Sequence, residues 1–294
     1  MTNAAALAIR NIKLFTRDRM AVFFSFLSSV IVLALYFLFI ANAIMTAMEG
    51  EGFPLSTDAG YFLIYLQMMA GVMVINSMSL SVGVFTVITR DFENRRADSF
   101  LLTPVRAGSL IAGYFAAGLI VPYILNVFVW AVTSVLIGLL TGHWVTAVTF
   151  AVVTGILFLV SLISSSVMLL IAALLKSPAA VSIVASVSGT FIGFLSGIYM
   201  PYSQMGKGTE MVGSVLPFTH MAIWLKQTVL ADAFGQLDVP ENMRTMFTND
   251  VFSARNIGFL GLSVPQSALL VGCGVFALIC LLLAWASLGN RMGK

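Results

Sequence analysis

Six long apolar segments dominate this chain, and none of them contains Asp, Glu, Lys or Arg. They cover residues 21–45, 60–89, 107–141, 144–175, 177–200 and 265–288. Each exceeds the roughly 20 residues that a helix needs to cross about 30 Å of hydrocarbon. Because the segments are continuously apolar rather than alternating, helices are the predicted spanning elements, and barrel strands are not. The sequence therefore predicts an all-α membrane protein with six transmembrane helices.

The composition excludes a water-soluble core. Of the 294 residues, 60% are hydrophobic and 9% are charged, whereas a soluble domain carries about 25% charged residues. The uncharged spans also argue against a proton-coupled carrier, which usually holds its proton on a buried carboxylate or histidine. We therefore expect the energy for any transport to come from outside the spans.

Basic residues concentrate on one side of these spans. With a cytoplasmic N-terminus, 11 of the 15 lysines and arginines fall on the inner side. They are Arg10, Lys13, Arg17, Arg19, Arg90, Arg95, Arg96, Arg106, Lys176, Arg291 and Lys294. The positive-inside rule then predicts a multi-pass protein of the inner or plasma membrane with both termini in the cytoplasm. Topology alone explains this charge, so no nucleic acid partner is expected.

Residues 1–20 predict a helix that lies along the membrane surface. Arg10, Lys13 and Arg17 recur at spacings of three and four and share one face. Apolar residues form another face, namely Ala5, Ala8, Ile9, Ile12 and Phe15. Such a helix can rest among the lipid headgroups, with its basic face toward anionic lipid or a cytoplasmic partner. The alternative is an ordinary flank that only supplies topology charges.

Small and polar residues follow one face of two predicted spans. In the fifth span they are Ser182, Ser186, Gly189, Gly193 and Gly197, and in the second they are Asn76, Ser79 and Gly83, with Gln67 nearer the outer end. Close helix packing in membranes commonly uses small residues. Packing alone is therefore favoured over a transport path as the explanation of the fifth-span stripe. Buried amides need partners or water, which makes Gln67 and Asn76 harder to assign to packing.

Residues 201–264 predict an external segment, part of which re-enters the outer leaflet. Within it, the run from Met221 to Leu230 is interpreted as amphipathic, with Trp224 and Leu225 at the membrane surface. The chain shows no internal repeat and no second domain.

No catalytic or metal site is predicted. Gly206-Lys207 comes nearest to a phosphate-binding loop, but Pro201 stands where that motif needs its first glycine. His143 and His220 have no partner at metal-ligand spacing. We therefore expect no enzyme and no cofactor in this chain.

The most specific segment is the cytoplasmic loop at residues 90–106. Charges of both signs are dense over residues 90–98, and an apolar group, Phe100 to Leu102, follows them. Pro104 then disfavours helix at Thr103. Apolar side chains outside the bilayer need cover, which favours docking against a soluble protein over a solvated loop.

At this loop the sequence resembles the ABC type-2 exporter permeases, which carry a charged stretch ending in a Leu-Leu-x-Thr-Pro-Val-like motif. Residues 100–105 match the motif, and Glu93 fits the upstream acidic position, whereas Arg95 and Arg96 stand where the family often has Gly-Thr. Ile198-Tyr199-Met200-Pro201 and Leu216-Pro217-Phe218-Thr219 look like the family's segments between the fifth and sixth helices. The likeness extends over the whole chain.

The resemblance implies a single ABC type-2 transmembrane domain over residues 1–294, with an interfacial helix, a coupling loop and re-entrant external helices. It implies a homodimer or heterodimer of permease subunits and two separate ATP-binding subunits, which would hold the ATP and Mg. The coupling residues would be Glu93, Arg95, Arg96, Phe100, Leu101, Thr103 and Pro104. The second and fifth helices would line the translocation path at Gln67, Asn76, Ser79, Ser182, Ser186, Gly189 and Gly193.

The family's cargoes include drugs, antibiotics, peptides, lipids and lipid-linked glycans. Apolar spans rich in Met and Phe fit a hydrophobic or amphipathic cargo, although lipid contact explains the same residues. A carrier outside the ABC class, and a scaffold or sensor without transport, are the alternatives. A neighbouring gene for an ATPase with Walker motifs would favour the exporter.

Overall fold

The computed structural model describes residues 3–50, 56–94, 107–175 and 177–292. These residues form helices and turns, with no β-strand among them. The helices are α1 Asn3–Arg17, α2 Arg19–Leu35, α3 Ala41–Gly50, α4 Thr57–Glu93, α5 Ala107–Thr141, α6 Ala147–Leu174, α7 Pro178–Leu195, α8 Lys207–Gly213, α9 Pro217–Gln236, α10 Glu241–Met246 and α11 Gln266–Met292. Within the described residues, five of them are long and apolar enough to cross a membrane, namely α4, α5, α6, α7 and α11.

The first predicted span is a continuous helical run with a π-helical turn, Tyr36–Ile40, between α2 and α3. Its apolar part, Val30–Thr46, is shorter than the other candidate spans. The Tyr36 hydroxyl donates a hydrogen bond to the Ile198 carbonyl at 3.0 Å. This bond connects the helical run to the segment that follows α7.

Helix α4 is the centre of the bundle. It packs against α1, α2, α5, α6, α7 and α9, and most of its apolar part is buried. The ring of Phe85 lies where a Cβ at Gly118 of α5 would be. Glycine at this position lets α4 and α5 approach closely, as small residues do at helix interfaces in membranes.

Local signals explain several helix ends. The side chain of Ser56 caps α4 by accepting from the Ala59 amide, and Thr146 and Ser177 cap α6 and α7 in the same way. These hydroxyls satisfy amides that a helix start leaves without a partner. Gly142 follows the end of α5 with a φ of +72°, a conformation that glycine adopts without steric cost.

Pro122 lies inside α5, and the helix continues through it. Because proline has no N–H, the carbonyl four residues earlier loses its helical donor. That carbonyl belongs to Gly118, and it accepts a hydrogen bond of 2.6 Å from Ser165 Oγ of α6. A neighbouring helix therefore supplies the donor that proline removes, as the bilayer requires.

The bundle has two distinct ends. At the α1 end, Leu7 contacts Gly113 and Trp285 contacts Gly108, so α1, the start of α5 and the end of α11 lie together. At the opposite end, residues 196–265 form a cap built around α9. The sequence placed Leu225 of α9 at the membrane surface, which is wrong: its side chain is fully buried. Apolar residues surround α9 because it packs against α4, α6 and α11.

Candidate functional site

A buried carboxylate joins three helices at the α1 end. The side chain of Asp91, in the last turn of α4, is only 3% exposed and pairs with Arg10 of α1. Arg10 donates from Nη1 at 2.9 Å and from Nη2 at 3.2 Å, and the Tyr114 hydroxyl of α5 donates to the same carboxylate at 2.7 Å. Charge-assisted bonds of this kind are stronger than neutral ones. We call Arg10, Asp91 and Tyr114 the α1 cluster.

Close packing on both sides of the α1 cluster, along the length of α1, holds this helix in place. A Cβ at Gly113 would lie 2.6 Å from Leu7 Cβ, and one at Gly83 would lie 2.7 Å from the Phe15 ring. Asn11 is also fully buried, and its Oδ1 accepts a 2.9 Å hydrogen bond from Arg10. The helix therefore contacts α4 and α5 along its length.

The three basic residues predicted to share a face of the interfacial helix line one groove along α1, but they differ in burial. Lys13 and Arg17 are exposed, whereas Arg10 is partly buried against Asp91. Periodicity could not reveal this difference, because Asp91 is distant in sequence. Of these three residues, Lys13 and Arg17 are the more accessible to a lipid headgroup or a partner.

The predicted coupling residues lie next to the α1 cluster in sequence. Glu93 is the last residue of α4 and is exposed, as is Arg90 one turn earlier. The remaining predicted coupling residues, Arg95, Arg96, Phe100, Leu101, Thr103 and Pro104, lie outside the described residues.

The polar residues of α4 are divided between the interior and the surface. Asn76 is buried and donates from Nδ2 to Asn126 Oδ1 of α5 at 2.8 Å. Gln67 is buried too, whereas Ser79 is exposed. Ser77 lies 3.3 Å from Ser161 of α6, oxygen to oxygen. Asn76 thus links helices within one subunit.

The small residues of α7 are divided in a similar way. Ser182 and Ser186 are exposed. A Cβ at Gly189 would meet open space, whereas one at Gly193 would overlap the ring of Tyr199. Gly197 lies beyond the end of α7 and has a φ of +62°. The stripe therefore ends at Gly193, and its cap end packs within the subunit.

The cap contains a buried lysine, one of the four basic residues that the charge count leaves on the outer side of the spans. Lys226 of α9 is 1% exposed, and its Nζ donates to the carbonyls of Gly197 at 2.8 Å and Phe252 at 2.9 Å. It lies outside the candidate spans, and burial lowers its pKa to about 7, because desolvation disfavours the charged form. The signal in the sequence was a lone lysine within the apolar run of α9.

Two further features complete the cap end. His220, which the sequence placed outside, is buried, and its Nε2 lies 2.8 Å from the Ser214 carbonyl. Beside His220, a cavity of about 450 Å³ opens between α9 and α11, with Pro217, Leu269 and Phe276 in its wall.

Among the described residues, no group of three His, Cys, Asp or Glu side chains could hold a metal ion.

A family model described as ABC-2 type transporter matches residues 2–230. The match runs from α1 through the first five predicted spans and into α9. No curated protein matches the chain. Because the family model covers most of the sequence, the chain belongs to the ABC-2 type transporter family.

Proposed function

We propose that this ABC-2 type transporter chain is the permease subunit of an ATP-driven exporter that moves a hydrophobic or amphipathic substrate out of the cell. The family match across residues 2–230 carries the proposal, since the permease role follows from it. Uncharged spans support an energy source outside the membrane. ATP hydrolysis would occur on a separate ATP-binding subunit, which would hold the ATP and Mg.

Two copies of that subunit would dock on the loop at residues 90–106. Exposure of Arg90 and Glu93 at the end of α4 supports this, because both charges are available to a protein partner. The loop and both termini would lie in the cytoplasm of a cell with the chain in its inner or plasma membrane. The run from α2 to α3 would form a sixth span, and α8 and α9 would be the re-entrant helices.

A second permease subunit, identical or similar, would complete the translocation path. The support is the surface of α7, the least buried of the five candidate spans. Ser182 and Ser186 are exposed there, next to exposed Ile183, Val187 and Phe191. The path would follow this surface and include Ser79 of α4. Gln67, Asn76 and Gly193 would support it from inside the subunit.

The cavity at the cap end, between α9 and α11, supports the proposal of an apolar cargo. Its wall is mostly apolar, with Leu269 and Phe276 of α11 on one side. The His220 and Cys273 side chains in the same wall are within hydrogen-bonding distance of main-chain carbonyls. A hydrocarbon group therefore fits this wall better than a sugar does.

Affinity purification in mild detergent tests the proposal. The wild-type chain should copurify with an ATP-binding subunit and with ATPase activity. Glu93→Lys, Phe100→Ala and Leu101→Ala should weaken that association while the chain elutes as a folded species. Glu241→Lys, an exposed change in the cap, is the matched control and should bind normally. Full ATPase binding by all three loop variants would contradict the docking assignment.

The energy source separates the exporter from a carrier outside the ABC class. In sealed vesicles with the complex, substrate movement should follow ATP hydrolysis and persist with a protonophore present. Loss of transport on adding the protonophore at constant ATP would favour the carrier.

A further inference from the structure

Asp91 and Tyr114 of the α1 cluster lie on either side of residues 95–106 of the loop in sequence. Asp91 lies just before the part of the loop beyond the described residues, and Tyr114 lies about two helical turns into α5, which begins directly after it. Arg10 contributes from α1. A single carboxylate therefore connects the helix that leads into the loop, the helix that leads out of it, and the interfacial helix.

The geometry makes this connection stiff. The Asp91 carboxylate is buried, both of its oxygens accept hydrogen bonds from Arg10, and one also accepts from Tyr114. Leu7 and Phe15 pack tightly against glycines on either side of it. Displacing the end of α4 relative to α1 would break these bonds and leave a buried charge without its partner, which is unfavourable. A displacement of the end of α4 is thus expected to carry α1 with it.

We propose that Arg10, Asp91 and Tyr114 transmit movement of the 90–106 loop to the interfacial helix, so that ATP-driven movement of the docked ATPase shifts α1 in the membrane surface. The inference rests on the proposed function, because it needs an ATPase at the loop. The three side chains act as positioning residues: they hold α1 and the flanks of the loop as one unit. Lys13 and Arg17 are exposed and have no part in this connection.

A fluorescent reporter on α1 tests the connection in the assembled complex. Thr16→Cys, on the exposed surface of α1, carries an environment-sensitive dye in a complex of permease and copurified ATPase held in lipid. The two native cysteines are buried, and the chain without Thr16→Cys measures their labelling. Addition of ATP and Mg should change the dye signal in the wild-type background.

Asp91→Asn and Arg10→Gln should abolish the ATP-dependent signal while ATPase binding and hydrolysis persist. The reversed pair Arg10→Asp with Asp91→Arg should recover part of the signal, because it restores opposite charges. Tyr114→Phe removes only one hydroxyl and should reduce the signal in a chain that still folds. Asp232→Asn makes the same change at a hydrogen-bonded carboxylate of α9 in the cap; it is the matched control and should leave the signal unchanged.

Each outcome decides a different point. If the wild-type chain copurifies with no ATPase, the proposed function fails. If ATPase binds and hydrolyses ATP but Asp91→Asn and Tyr114→Phe keep the full signal, the inference alone is overturned. Failure of the reversed pair to recover any signal in a folded, ATPase-bound complex would also overturn it.

Discussion

The two ends of the molecule each withdraw a basic side chain from solvent, one partly and one fully, and they stabilise it in different ways. At the α1 end, Arg10 faces the Asp91 carboxylate. In the cap, Lys226 is more deeply buried and donates to the main-chain carbonyls of Gly197 and Phe252. Among the described residues, Lys226 forms no ion pair. The charge of Arg10 is thus compensated by a carboxylate, whereas that of Lys226 is stabilised by the dipoles of main-chain carbonyls.

This difference matters because burial penalises a charged group unless an opposite charge compensates. Arg10 stays charged at every accessible pH. Lys226 can release its proton, and its pKa falls to about 7. The α1 end is thus built around an ion pair, whereas the stability of the cap is expected to depend on pH.

The largest expected effect comes from removing the carboxylate at the α1 end. Asp91→Ala leaves Arg10 partly buried without its partner, and breaking a buried pair in this way costs about 3 kcal/mol, at the low end because Arg10 retains some solvent contact. Thermal unfolding of the purified chain in detergent measures the loss. An unchanged unfolding midpoint would show that the contact with Arg10 contributes nothing.

Lys226→Met should remove the pH dependence of the cap. Lys226 titrates near 10.5 when unfolded and at about 7 when folded. Below pH 7 both states hold the proton, and the burial penalty is fully present. Between pH 7 and 10.5 only the unfolded state holds it, so the free energy of unfolding rises with pH, on the order of 2 kcal/mol or more. The methionine variant should lack this rise.

Unfolding midpoints at several pH values between 7 and 10 measure the effect. Lys207→Met, at an exposed lysine of the same cap, is the matched control and should keep the wild-type rise. His220 does not interfere, because burial lowers its pKa below 6.5 and moves its titration out of this window. Equal slopes for wild type and Lys226→Met would contradict the role given to Lys226.

Two glycines of α7 extend the comparison to helix packing at the cap end. Gly193→Ala puts a methyl group into the ring of Tyr199, whereas Gly189→Ala meets open space. Overpacking typically costs about 1–3 kcal/mol, and alanine stabilises a helix relative to glycine. Gly193→Ala should therefore lower the unfolding midpoint, and Gly189→Ala should not. Loss of transport with Gly189→Ala but unchanged stability would indicate that Gly189 faces the second subunit.

The smallest expected effect comes from a carboxylate that accepts as many hydrogen bonds as Asp91 does but is less buried. Asp232 of α9 accepts from the Thr146 amide, the Thr146 hydroxyl and Gln236, and it is only partly buried. Asp232→Ala should cost less than about 1 kcal/mol, because water replaces exposed hydrogen bonds. A loss as large as that of Asp91→Ala would show that burial does not set the difference.

The sequence by itself determined the elements whose causes are local. Apolar segments without charge predicted α4, α5, α6, α7 and α11, because segment length against bilayer thickness needs no partner. The predicted spans also end at Thr141 and begin at Ser177, where the structure has the end of α5 and the cap of α7, since backbone sterics and capping act over a few residues.

Only the tertiary structure decided which side chains meet. Arg10 and Asp91 are 81 residues apart, and Asn76 and Asn126 are 50 apart. Helical spacing tells which residues share a face, but it does not tell which helix that face will contact. For the same reason the sequence did not show that Lys226 is buried, because its burial depends on how α9 packs inside the cap. Burial and hydrogen bonding are properties of the packed molecule, and they set the charge, the pKa and the stability contribution of each group.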